Sequence, residues 1–323
     1  MELQQSCKVK VLITKSRRCP ACFDSNKNTV IFQKENISQE KITSFTYASR
    51  KTPEFMCHEM VRCLNCDLVY VTTPPDKLKL SEAYHAANYD SSVEAIDAAE
   101  TYINHMNNIV SKLNSNSKIL EIGSGSGEFL YNLKKKGFTN LTGIEPSISA
   151  INSAHSEIKS HLHEGIFQVD DFQEASYDLV CCFMTLEHVY DPREISESVN
   201  KILKKDGYFV MVVHNYRSIV NKILGKKSPI IDIEHMQLFS KKSIRLLLNK
   251  TNYNDIKIND FSNLYSINYW VRLLPISNLI KKFFIKILNK IKLDNFKIKI
   301  NVGNIIISGR KDCLDLKRNR LND

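Results

Sequence analysis

The stretch Ile119-Leu120-Glu121-Ile122-Gly123-Ser124-Gly125-Ser126-Gly127-Glu128-Phe129-Leu130 constrains this chain more than any other. A short apolar run carrying one acid passes through three alternating glycines into an amphipathic stretch. That order predicts a buried strand, a tight turn and a helix. Glycine is needed because such a turn uses backbone angles closed to other residues and must approach a ligand with no Cβ in the way. The spacing is Gly-x-Gly-x-Gly, unlike the Gly-x-Gly-x-x-Gly of dinucleotide sites or the Gly-Lys-Ser/Thr of P-loops. About twenty residues on, Gly143-Ile144-Glu145-Pro146 ends the next apolar run with a carboxylate able to accept hydrogen bonds from two ribose hydroxyls.

From Lys118 onward, short apolar runs alternate with helical ones, the pattern of βαβ units and a parallel sheet. Strands are predicted over residues 118–122, 141–145, 159–163, 177–182 and 208–213. Gly137 falls where a left-handed cap closes a helix, and Asp206-Gly207 turns the chain into the fifth strand. Beyond it a helix is predicted over 240–249, then strand 255–261 with 304–308 as its antiparallel partner. Upstream, Ile96, Ala99, Ile103, Met106, Val110 and Leu113 recur at helical spacing.

Nine cysteines are present, four of them in the pairs Cys19-Pro-Ala-Cys22 and Cys63-Leu-Asn-Cys66. Residues 1–10 are polar and no window reaches the ~18 apolar residues of a membrane span, so the expectation is a cytoplasmic protein in which paired cysteines bind metal. Four thiolates close a tetrahedral site and leave no open position, which predicts structural zinc held by Cys19, Cys22, Cys63 and Cys66. Runs at 29–32 and 42–47 are β-prone and offer a hairpin between the knuckles. His58 is an alternative ligand, but the paired knuckles already complete the site. Cys181 and Cys182 lie in an apolar strand, where cysteine packs as a small hydrophobe, and Cys7, Cys57 and Cys313 carry no pattern. The expected division is a zinc-ribbon module over 1–75, ending at Thr73-Pro74-Pro75, a helical connector over 76–115, and an α/β domain over 116–323 with an insertion at about 264–300.

Net charge is +10, and residues 271–323 hold 13 Lys/Arg against 4 Asp/Glu. That surplus suits an anionic substrate, a membrane surface or nucleic acid, or is plain solvated charge. Within the insertion Trp270, Leu273, Leu274, Ile280, Phe283, Phe284, Ile287 and Leu288 interleave with lysines. Such a segment reads as added core, as a lid, or as a basic amphipathic helix making peripheral contact with the inner membrane face.

The chain resembles the class I S-adenosylmethionine-dependent methyltransferases from about Ile96 to Gly309. Besides the glycine loop and Gly143-Ile-Glu-Pro146, the shared stretches are Tyr177-Asp-Leu-Val180, Leu186-Glu-His-Val-Tyr-Asp-Pro192, Leu203-Lys-Lys-Asp-Gly-Tyr208 and His235-Met-Gln-Leu-Phe-Ser240. The resemblance implies a Rossmann-like α/β fold with a doubly wound, mostly parallel sheet of order 3-2-1-4-5-7-6, strand 7 antiparallel. It also implies S-adenosylmethionine as cofactor. Glu121, Gly123, Ser124, Gly125 and Gly127 would hold its methionine moiety, Glu145 and Pro146 its ribose, with Phe167 and Met184 completing the site. Adenine normally meets residues just after the third strand, here Gly165 to Phe167; Asp170 and Asp171 come late for the usual acid. The ribbon, followed by Leu68-Val-Tyr70 and the tyrosines Tyr84 and Tyr89, is similar to a module of bacterial methyltransferases in deoxysugar and surface-polysaccharide pathways. That likeness implies a sugar nucleotide or glycan-linked acceptor, methylated on oxygen or carbon.

An oxygen or carbon acceptor needs a base beside the transferred methyl. Glu187-His188, after the fourth strand, is the first candidate, and His235 and His214-Asn215 come next. The bland reading of Glu187-His188 is a helix cap packed on the sheet edge. Quinone O-methyltransferases have a Glu-His pair there among acids that hold a metal, but here Met184 stands three before Glu187, which argues against a metal-dependent mechanism. Rival readings are a small-molecule or quinone-type O-methyltransferase, a zinc-ribbon RNA methyltransferase and a non-catalytic binding protein. Against RNA, the ribbon lacks interleaved basic and aromatic residues.

Overall fold

The computed structural model describes residues 16–48, 53–89, 92–274 and 276–312; Cys7, Cys313 and the reading of residues 1–10 lie outside the described residues. The cysteine knuckles sit at turns flanking β1 (Thr29–Gln33), β2 (Met60–Cys63) and β3 (Val69–Val71). β1 pairs antiparallel with β2 and β2 with β3. The expected strand at 42–47 is instead a turn. Its threonines bond locally, Thr43 N–H donating to Thr46 Oγ1 at 2.9 Å and Thr46 N–H to Thr43 O at 3.1 Å, so the backbone is not free for a ladder.

Helix α1 (Lys77–His85) is capped by Asp76. The amphipathic stretch forms α2 (Ser92–His105) and a separate turn α3 (Asn107–Val110), broken at Met106 before two asparagines, poor helix formers. Ile96, expected on the apolar face, is exposed. Next come β4 (Ile119–Ile122), α4 (Glu128–Lys135), β5 (Leu141–Glu145), α5 (Ile148–Asn152), α6 (Ser156–Lys159) and β6 (Leu162–Glu164). Gly137 closes α4 at φ +92°. The third strand was expected at 159–163. His155 caps α6 there, and only Leu162 of the strand is buried, so no period-two signal marks it.

β7 (Tyr177–Phe183), α7 (Pro192–Ile202) and β8 (Leu203–His214) follow, β8 starting five residues before the expected 208 with Asp206 at φ +65° inside it. Then come α8 (Ile219–Leu224), β9 (Gln237–Leu238), α9 (Lys241–Lys250), β10 (Tyr253–Ser266), α10 (Ile267–Leu273), α11 (Asn278–Lys290) and β11 (Lys297–Lys311). The seven-stranded sheet has the order β10-β11-β8-β7-β4-β5-β6, which in order of appearance along that sheet is 3-2-1-4-5-7-6 as expected. β11 runs antiparallel to both neighbours, while β4 through β8 pair in parallel.

Successive strand residues point to opposite faces. Leu120, Val180, Cys182, Phe209 and Met211 join the core under α7 and α9, whereas Ile119, Leu179, Cys181, Val210 and Val212 join the core under α2 and α4. Both faces are therefore covered, as parallel sheets require.

The knuckle region does not stand apart. β3 pairs antiparallel with β9, making a four-stranded sheet β1-β2-β3-β9 shared between the first residues and the loop after α8. Arg17 locks the joint: its guanidinium donates to Val71 O at 2.7 Å, to Met236 O at 2.9 Å and to Tyr190 O. Asp67 fixes a second seam through Tyr216 Oη, at 2.7 Å, and Arg217.

Candidate active site

A cavity of about 610 Å³ opens at the carboxyl ends of β4, β5, β7 and β8, where open α/β sheets bind ligands. One wall is the glycine loop. Gly123, Gly125 and Gly127 all have positive φ, between +54° and +74°. A Cβ on Gly123 would lie 2.3 Å from Thr185 Oγ1, while one on Gly125 would meet nothing within 4 Å, so Gly125 is the bare edge turned to open space. Gly127 does not line the cavity; it caps α4 and packs on Leu162 and Ile158.

Of the other residues expected at the cofactor, Glu121, Ser124, Glu145, Pro146, Phe167 and Met184 all line the cavity. Glu145 Oε2 accepts from Gly125 N at 2.8 Å and Oε1 from Ser147 N at 2.9 Å, which holds the carboxylate at the cavity edge. Ser124 Oγ is buried with no hydrogen-bond partner, an unmet polar group of the kind a polar ligand satisfies. Gly165 and Ile166 join Phe167 in the wall, whereas Asp170 and Asp171 are exposed and outside it. Met184 sits at φ +52°, a conformation costing a side chain ~1–2 kcal/mol and frequent at binding sites.

The far wall is polar. His188 comes from the turn after β7, Glu234 and His235 from the loop before β9, and His214 from the end of β8. The His188 and His235 ring centroids are 4.7 Å apart and those of His214 and His235 are 5.3 Å apart. His188 Nδ1 lies 3.9 Å from Glu234 Oε2, and the donor atoms of His188, Glu234 and His235 fall within 4.8 Å of one another, close enough to share a proton or a cation. Tyr84 meets His188 edge-on at 6.0 Å and donates to Glu234 O at 3.2 Å; Tyr89 Oη is 2.9 Å from Ser126 Oγ. Burial drives the His214 imidazole down to about 3, with His188 adding to the effect, so it is neutral.

Glu187 differs from its expected place. It is fully buried and absent from the cavity wall, with Oε1 accepting from His214 N at 2.6 Å. Burial raises its carboxyl to about 8, so at neutral pH it is mostly protonated, and its 3.6 Å approach to His214 Nδ1 is no ion pair. Adjacent residues of a tight turn point apart, and here the histidine faces the cavity while the acid faces inward.

The four knuckle cysteines converge elsewhere, their Sγ atoms within 4.8 Å of one another, with Cys19 to Cys66 at 3.4 Å and Cys22 to Cys63 at 3.6 Å. Those separations are too long for disulfides. The contact with Cys66 lowers the Cys19 thiol to about 6, and burial raises Cys22 to about 12. His58 stands apart from this cluster, facing Glu35.

The family model described as "Methyltransferase domain" matches residues 97–258, from α2 into β10, and so takes in the glycine loop, Glu145 and the histidine cluster. The chain belongs to the methyltransferase domain family.

Curated relatives of this methyltransferase domain include the ubiquinone biosynthesis O-methyltransferase of Hydrogenovibrio crunogenus, 34% identical over 120 residues, covering 34% of this chain and 48% of that protein. The human EEF1A lysine methyltransferase 2 is 29% identical over 119 residues, covering 32% and 50%. The chain thus spans about half the length of the curated relatives it matches. Among solved structures, a SAM dependent methyltransferase from Archaeoglobus fulgidus is 18% identical with a TM-score of 0.45, covering 73% of this chain and all of that one. A SAM-dependent methyltransferase from Thermotoga maritima is also 18% identical with a TM-score of 0.45, covering 69% and 93%.

Glu234 escapes sequence reasoning because the family-like stretch His235-Met-Gln-Leu-Phe-Ser240 begins one residue after it. Thr185, which limits the space at Gly123, carried no signal at all.

Proposed function

We propose that this chain is an S-adenosylmethionine-dependent methyltransferase whose acceptor is a sugar nucleotide or glycan-linked intermediate, methylated on oxygen or carbon. One observation carries the reading: the bare glycine loop with Glu145 and the His188–Glu234–His235 cluster face each other across one cavity. Bound against the loop, S-adenosylmethionine supplies an electrophilic methyl on a sulfonium. Glu145 would accept hydrogen bonds from the ribose hydroxyls, Gly123 to Ser126 would leave space for the methionine moiety, and Phe167 would pack on the adenine. One imidazole of the His188–His235 pair would receive the single proton that the acceptor loses, and the Glu234 carboxylate would stabilise the imidazolium so formed. Tyr84 and Tyr89 hold the connector over the cavity and help exclude water.

The all-sulfur set Cys19, Cys22, Cys63 and Cys66 fits zinc, which bound there supplies a closed structural cross-link and no chemistry. The ribbon-bearing sugar methyltransferases motivate the acceptor class. A second reading, a phenolic or quinol acceptor, is favoured by the rim of Tyr265, Tyr269, Trp270 and Leu273, on which a flat ring would pack, and by the names of the curated relatives.

Isothermal titration with S-adenosylmethionine and S-adenosylhomocysteine, for the native chain and Gly125→Arg, tests the cofactor. Binding lost in the variant supports the proposal, whereas folded native protein that binds neither ligand overturns it. Mass-spectrometric screening of nucleotide sugars, quinols and RNA then tests the acceptor. Turnover of quinols or RNA without nucleotide sugars would refute the sugar assignment.

A further inference from the structure

Among the described residues, a run of exposed apolar side chains lies outside the cavity, on α11. Leu279, Ile280, Phe283, Phe284, Ile287 and Ile291 recur three and four residues apart and all face solvent, Leu279 at 81% and Phe283 at 62% exposure. The helix packs inward through a different side: Lys281 is buried, donating Nζ to Arg272 O at 2.7 Å, and Ile285 and Leu288 are half-buried. An amphipathic helix normally turns its apolar stripe to the core. Here that stripe is turned out.

The charge around it has one sign. Exposed Lys282, Lys286 and Lys290 repeat at four-residue spacing beside the stripe, and residues 261–293 hold six Lys/Arg and no Asp or Glu. Helix α8 repeats the combination, with Ile219 and Ile223 more than 75% exposed beside exposed Lys222, Lys226 and Lys227. α8 and α10 both contribute to the cavity wall, and α11 packs on α10, so these surfaces flank the mouth of the site.

We infer that α11 seats the protein on an anionic membrane surface, its phenylalanines entering the headgroup boundary while the lysines meet lipid phosphates. At 13 residues the helix is too short to span a bilayer, so it lies along the surface. A second copy is a poor occupant, because a symmetric contact would bring lysine rows together with no acid in the segment to neutralise them. The inference concerns binding alone and stands apart from the acceptor's identity.

The test is co-sedimentation of the full chain with vesicles of phosphatidylcholine alone or mixed with phosphatidylglycerol, alongside sedimentation velocity without lipid. Binding to the anionic vesicles should fall in high salt, weaken roughly fivefold for each of Lys282→Gln and Lys286→Gln, and weaken at least about tenfold in Phe283→Glu. Phe283 is exposed, so that variant should keep the native melting temperature. No association of the native chain with anionic vesicles, or equal association of Phe283→Glu, overturns the inference. A native dimer that Phe283→Glu splits, without vesicle binding, also overturns it and assigns the face to a second copy.

Discussion

The His188 and His235 rings lie 4.7 Å apart with their planes 33° from parallel, although His188 and Glu234, the residue before His235, are 46 positions apart in the chain. Hydrogen bonds between the two loops hold them there: Met236 N–H donates to Glu187 O at 2.8 Å, and the Gln237 side-chain Nε2 donates to Leu186 O at 2.7 Å and Val189 O at 2.9 Å. The pair is therefore pre-positioned and need not assemble on binding.

Replacing either ring by a side chain of similar polarity should then leave cofactor affinity in place and slow the chemistry. For His188→Asn and His235→Asn we expect kcat to drop on the order of 10²- to 10⁴-fold. Single-turnover kinetics together with titration calorimetry check this. Unchanged kcat in both variants would remove the histidines from proton transfer.

Glu187 makes stability pH-dependent. Burial keeps its carboxyl near 8 in the folded chain against an ordinary 4.5, so the folded state retains a proton that the unfolded chain has released. Stability should fall as pH rises from about 5 to 8 and level off above, with a contribution of a few kcal/mol. Glu187→Gln keeps an oxygen for the His214 N–H and removes the titration. Melting curves at pH 5.5 and 8.5 should show the variant gaining on the native chain at the higher pH; parallel losses in both proteins would contradict this account.

The glycines of the loop should separate by the space around them. Gly123→Ala drives a Cβ against Thr185 Oγ1 at a positive φ and should cost ~1–3 kcal/mol, visible in the melting temperature. Gly125→Ala meets no neighbour and carries only the strain of its positive φ, about 1 kcal/mol, so it should lose less melting temperature than Gly123→Ala and show its main defect in cofactor affinity. Equal melting losses in the two variants would contradict the geometry.

Elemental analysis should find one zinc per chain, removed by Cys66→Ala or strong chelation. Structural zinc contributes on the order of 10 kcal/mol in small domains. Because β3 pairs with β9, which begins two residues after His235, stripping the metal should also reduce turnover. Purified protein without zinc, whose melting ignores chelators, would sink the zinc assignment.

The strands of the main sheet were legible because apolar runs are local signals, and 141–145 is a strand at the residues expected; the order 3-2-1-4-5-7-6, which is present, came from the family resemblance and not from the pattern. β6 was misplaced because two of its three residues are exposed and leave no pattern. The turn at 42–47 has β-prone composition, but threonine hydroxyls capture its backbone. On the site, residue types were readable and directions were not. Glu187 and His188 are neighbours in sequence, yet one faces the protein interior and the other the cavity. The union of β3 with β9 escaped notice because a two-residue strand has no periodicity to read.

That union bears on biosynthesis. Val69 pairs with Leu238, and Arg17 reaches Met236, so the knuckle segment cannot complete its sheet until residues far downstream have been made. At ~5–20 residues per second, the chain elongates for on the order of ten seconds or more between the two partners. During that interval the β3 edge is open to pairing with other chains. A segment that leaves the ribosome well before its partner strand is thus among the last to be finished.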